Sequence, residues 1–204
     1  MFFTDAIVAI AITLLVLPLL ESIPEAAARG VATGAWLTEH VSGLLAFFVS
    51  FVIVAATWSG HHRLFQNVEH LSFSLKWLNI VWALSIVFLQ LPSAMIYQLP
   101  SDRWGPVLYV GTLLASQLLL AGMSFVVSRS PELLAPRTAT SLNTRVWVSV
   151  SALFAIALLV TLILPDWGLN TLFLLWLVPV LRRVPVVARG RRVVEGMAPE
   201  GSTA

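Results

Sequence analysis

Phe2-Phe3-Thr4-Asp5-Ala6-Ile7-Val8-Ala9-Ile10-Ala11-Ile12-Thr13-Leu14-Leu15-Val16-Leu17-Pro18 is apolar enough to cross a membrane, yet it opens on a carboxylate and carries a hydroxyl midway. On a helix, Phe3, Ile7, Ile10, Leu14 and Leu17 recur at steps of four, three, four and three, so they form one stripe. Thr13 lies beside that stripe, three residues after Ile10 and four before Leu17. An apolar stripe on a membrane helix is first of all a packing surface; a face turned to a pore is the alternative reading.

The rest of the chain sets the solvent. Of 204 residues, 58% are hydrophobic and 11% charged, and the mean hydropathy is +0.90. A soluble domain has about a quarter of its residues charged, so most of this chain must face lipid or itself. The absence of cysteine excludes a disulfide framework, a thiolate metal site and a cysteine nucleophile. The N-terminus lacks a basic region and a convincing cleavage site, so residues 2–20 read as a retained helix.

Six segments have the length or apolarity of spans: 2–20, 41–60, 75–97, 105–128, 145–165 and the shorter 169–182. The expected fold is therefore all-α, a polytopic membrane protein whose six helices occupy residues 1–183, followed by a basic and then disordered tail over 184–204. Pro24 is expected to break the polar stretch after the first span, and residues 61–74 are expected to form a linker. Lys and Arg divide unevenly. Ten fall on the side of the 61–76 and 129–145 linkers and the C-terminal segment, and two (Arg29 and Arg103) on the other, which places both termini in the cytoplasm. The basic tail reads as a topology signal in contact with anionic lipid rather than as a nucleic-acid site.

Few residues carry chemistry. Asp5 either caps its helix with the carboxylate in the headgroup region or pairs with another group, and both can hold together. Trp58, His61, His62 and Phe65, with Trp77 and Asn79 on the third span, form a second cluster. Adjacent histidines on a helix point about 100° apart and cannot share a small ion as an i, i+4 pair would. A metal site is not expected. Asn79 needs an interhelical hydrogen bond, and the positive-inside count puts Asp5, His61, His62 and Asn79 at one membrane face. Thr57, Ser85, Gln90, Ser116, Gln117, Ser124 and Thr161 look scattered and do not converge as a solute site would. No internal repeat is visible, so a chain that lined a pore with one helix would need copies of itself around an axis.

Phe3-Thr4-Asp5-Ala6, followed by a span ending Thr13-Leu14-Leu15-Val16-Leu17, resembles the Phe-Ser-Asp signature that opens the first helix of the lysosomal potassium channel family (transmembrane protein 175) in its bacterial form. The run Trp58-Ser59-Gly60-His61-His62-Arg63-Leu64-Phe65, then Leu78-Asn79 and Leu91-Pro92, is similar to a second block of that family. Together they cover about the first half of the chain. Thr4 replaces the signature serine and keeps its hydroxyl. The family's arginine, four residues before the phenylalanine, would precede Met1.

The resemblance implies a homotetrameric cation channel with six helices per subunit. Its pore is lined by the first helix and has no Thr-Val-Gly-Tyr-Gly filter, which this sequence also lacks. Carried onto these positions, Ile10, Leu14 and Leu17 are the apolar constriction and gate, and Thr13 is the hydroxyl linked to selectivity. Phe3, Thr4, Asp5, Trp58, His61, His62 and Asn79 form the signature and its polar network. The implied activity is a potassium-preferring channel of a bacterial plasma membrane, passing K+ and other monovalent cations without a cofactor. A secondary transporter, a proton-conducting pore of the same architecture and a membrane enzyme are the alternatives. The transporter would show repeats and broken midplane helices, and the enzyme lacks a nucleophile-base or metal constellation.

Overall fold

The computed structural model describes residues 2–66, 68–99, 102–133 and 144–164. The expected sixth span, 169–182, and the tail, 184–204, lie outside the described residues. Within them the chain is all-helical: α1 (Phe2–Leu14), α2 (Leu17–Ala28), α3 (Thr33–Glu39), α4 (Val41–Phe65), α5 (Phe73–Phe88), α6 (Gln90–Gln98), α7 (Trp104–Arg129) and α8 (Thr144–Ile163). Five helical stretches are long and apolar enough to cross a membrane: α1 with α2, α4, α5 with α6, α7 and α8. The chain is a multi-pass membrane protein.

Two of the five are broken, each at a proline. Pro18 has no N–H to offer the Leu14 carbonyl, and its ring crowds the preceding turn. The chain answers with a turn at Leu15–Val16, and the Leu15 N–H tilts to the Ile12 carbonyl at 3.4 Å. Pro92 acts in the same way on the third span, which breaks at Leu89. Pro24, expected to break the polar stretch after the first span, instead lies inside α2, which runs on to Ala28. The α4 helix likewise outruns its expected end, so His61, His62 and Arg63 are helical rather than part of a linker.

Loops sort to the two ends as the charge count requires. The Glu69 N–H donates to the Leu133 carbonyl at 2.9 Å, tying the α4–α5 loop to the turn after α7. At the opposite end Gln98 donates to Glu21, and the Asp102 carboxylate accepts from the Trp104 and Gly105 N–H groups at 3.0 and 3.2 Å to start α7.

The core is apolar with paired polar groups threaded through it. Trp82, Leu75, Ile86, Tyr109, Leu113 and Leu120 are buried where α5 meets α7. Of the polar span residues expected to be scattered, two pair with each other, while Ser85, Gln90, Ser116 and Thr161 donate to backbone carbonyls. Gln117 on α7 donates to Thr57 on α4 at 2.9 Å, and the Tyr109 hydroxyl donates to Ser50 at 2.6 Å. In a membrane interior, where water offers no substitute partner, such pairs set helix register. Gly60 lets the Trp147 ring of α8 rest against α4; a Cβ there would overlap the ring.

Candidate functional site: the two faces of the first helix

One face of α1 is packed and wired into the chain. Val8, Ala11 and Leu15 are buried against the core, with Thr4 below them. Asp5 sits in the first turn, where unpaired backbone N–H groups favour negative charge. Its carboxylate also accepts the Trp58 indole N–H at 2.9 Å, so the cap-like position and the interhelical partner hold together.

The spacing of α4 divides its aromatic cluster between two neighbours. Trp58 and His62, four apart, share the edge toward α1: their rings lie 5.3 Å apart, and His62 Nδ1 lies 3.9 Å from the Asp5 carboxylate. His61 and Phe65 share the edge toward α5. The His61 ring is fully buried and stacks on Trp82 at 4.0 Å with a 5° interplanar angle. Its Nε2 pairs with the Asn79 side-chain oxygen at 2.7 Å, which makes Nε2 the protonated nitrogen, since an amide oxygen only accepts. The Asn79 amide donates in turn to the Thr4 hydroxyl at 2.9 Å. Thus Thr4, Asn79 and His61 form one chain of hydrogen bonds across three helices, and Asp5 and Trp58 make a second link beside it. The two histidines diverge, as adjacent helical residues must, and among the described residues no group of three potential metal ligands occurs.

A further contact was not expected from sequence. The Gln90 side chain, at the first residue of α6, donates from Nε2 to the Ala11 carbonyl at 2.8 Å. The signal was present in principle: a glutamine two residues before a proline in one span, and a proline four after Leu14 in another. Only the fold puts the two breaks at the same depth.

The opposite face of α1 is exposed among the described residues. Phe3 is 73% exposed, Ile10 61%, Leu17 44% and Leu14 43%. Ile7 is half-buried, on the edge between the two faces. Leu17 lies beyond the break, at the start of α2, so the stripe continues across a bend rather than along one straight helix. Thr13 is exposed too, and its hydroxyl donates to the Ile10 carbonyl at 2.8 Å. With its proton committed to the backbone, the oxygen turns lone pairs outward, an arrangement suited to a cation rather than an anion.

The model of the family described as "Endosomal/lysosomal potassium channel TMEM175" matches residues 1–89, the stretch that holds every residue of this site except Gln90. A potassium channel of Streptomyces collinus is 30% identical over 141 residues, which is 66% of this chain and 66% of that one. The endosomal/lysosomal proton channel TMEM175 of Danio rerio is 27% identical over 120 residues, 58% of this chain and 22% of that longer protein. The matches therefore span about two thirds of the bacterial relative and about a fifth of the fish one. A crystal structure described as a lysosomal potassium-selective channel TMEM175 homolog from Chamaesiphon minutus superposes with a TM-score of 0.66 at 22% identity, covering 88% of this chain and 94% of that one, and so shares its fold. With its Phe-Thr-Asp opening tied to Trp58 and Asn79, the chain belongs to the TMEM175 family.

Proposed function

We propose that the protein is a potassium-preferring cation channel of a bacterial plasma membrane, with four copies of α1 surrounding the pore. The observation that carries the reading is the division of α1. One face is locked by hydrogen bonds and packing, while the other leaves apolar side chains and the oxygen of one hydroxyl exposed among the described residues. Ile10, Leu14 and Leu17 form the constriction, and the closed state excludes ions by dewetting. Thr13 lends an oxygen beside Ile10. Selectivity follows from dehydration. Na+ is more strongly hydrated than K+ and loses more in a narrow apolar ring, and without a ring of carbonyls to replace the water the preference is modest. Six spans, cytoplasmic termini and a lipid-facing basic tail complete the expected assembly. Activity needs no cofactor beyond the permeant ion.

The test is passive flux from K+-loaded liposomes under K+ and Na+ gradients. Ile10→Asn wets the constriction, and we expect flux to rise roughly tenfold, about 1.4 kcal/mol off the barrier, with a smaller K+ over Na+ preference. A parent that shows no passive flux, or only saturable ion-coupled flux, would favour a transporter. The Pro18 and Pro92 breaks resemble the broken helices of transporters, but no charged side chain lies at either. Proton passage is the second reading, favoured by the name of the fish relative and by His62 beside Asp5. A pH gradient that drives flux without K+ would establish it.

A further inference from the structure

The two broken spans meet at their breaks. Pro18 and Pro92 each remove a backbone donor, and the chain bends at Leu15–Val16 and at Leu89. A bend alone fixes no angle, because a helix with a missing bond can flex about it. Here the Ala11 carbonyl, on the last turn before the first bend, accepts the Gln90 amide, and Gln90 is the first residue after the second bend. The orientation of that amide is forced: the carbonyl oxygen can only accept, so the nitrogen must face it. Gln90 is half-buried at membrane depth, where water is a poor substitute for its partner. Ala11 is buried and directly follows Ile10, so whatever anchors its carbonyl also sets how far Ile10 stands out. Thr13 and Leu14 lie between the anchored carbonyl and the bend. None of the contacts of Asp5, Trp58, His61 or Asn79 reaches this level of the helix.

We propose that Gln90 is a positioning residue for the constriction: its hydrogen bond to Ala11 holds the bend between α1 and α2 and so fixes where Ile10 and Leu14 stand relative to Leu17. The inference rests on the reading that α1 lines the pore. It makes the third span a setter of pore width, since a tilt of α6 against α5 is passed to α1 through the Gln90 amide. It also separates two roles within the first helix: the Thr4–Asp5 end anchors it, and the Gln90 contact sets its bend.

The absence of cysteine allows a direct test. Spin labels on cysteines at Phe3 and Ala27, either side of the bend, report its angle as a distance distribution in the full-length protein diluted with unlabelled chain. Gln90→Met keeps the side chain's length and removes the donor. Gln90→Asn keeps the amide and withdraws it by one carbon, which serves if the methionine variant does not assemble. Either is expected to broaden the distribution and move the population toward a second distance about fivefold, the equivalent of one net hydrogen bond, and to change the K+ over Na+ preference in liposomes. Pro18→Ala, which restores a donor for Leu14, should make the bend insensitive to Gln90→Met, because both act on the same joint. An unchanged distance distribution in Gln90→Met and Gln90→Asn overturns the proposal. A changed distribution with unchanged flux and preference leaves Gln90 as the holder of the bend and overturns the pore-lining reading instead.

Discussion

The two faces of α1 are made of the same kinds of residue, yet only one is packed against the described residues of the chain. Val8 and Ile10 are both aliphatic and two positions apart; one is 2% exposed and the other 61%. In water that contrast would mark a patch awaiting a partner. In lipid it does not, because hydrocarbon tails are as apolar as isoleucine and no hydrophobic drive covers the open face. What distinguishes the open face is polarity and placement. It carries Thr13, which lipid cannot satisfy as an acceptor, and it is held at a fixed angle by the Thr4 and Asp5 contacts at one end and Gln90 near the bend.

The contrast can be broken most forcefully from the packed side. Trp82 is fully buried and stacks on His61. Trp82→Ala should destabilise the subunit by about 3–5 kcal/mol through the void it leaves, read as a large drop in the unfolding midpoint in detergent. A shift as small as that of an exposed residue would mean that the His61 shelf is not part of the core. Next in size is Asn79→Leu. It strands the buried His61 Nε2–H and removes the donor to Thr4, a loss of about 2 kcal/mol. The loss should shrink in a Thr4→Val background, since the two residues share one hydrogen bond. Full additivity in that cycle would show that the Thr4 link contributes nothing.

Much of this was legible in the sequence, and the limits have physical causes. Apolar run lengths located the five described spans, and the Lys/Arg count sorted their loops. The adjacency of His61 and His62 foretold that they diverge. Asn79 announced a need for a partner but not which one, because its oxygen and nitrogen bond to different helices, a matter of tertiary placement. Pro18 lies inside an apolar run, so the periodicity that made the stripe readable also hid the bend that interrupts it. Pro24, an equally plain breaker, sits inside α2 without ending it. Thr57 and Gln117 look scattered on separate spans and become a pair only when α4 and α7 meet.

The smallest expected effect is the most discriminating. Val8→Ala removes two buried carbons from the packed face and should lower stability by about 1.5 kcal/mol. Ile10→Ala removes three from the open face and should change it by less than about 0.5 kcal/mol. The two substitutions are close in chemistry and sit on one turn of one helix, so propensity and unfolded-state effects largely cancel between them. If Ile10→Ala matches Val8→Ala in unfolding midpoint, the open face is covered by tight contacts with another copy, and Ile10 packs rather than lines a path. If stability is untouched while K+ flux changes, the residue acts on what passes beside it, which is what a side chain at a constriction does and one in lipid does not.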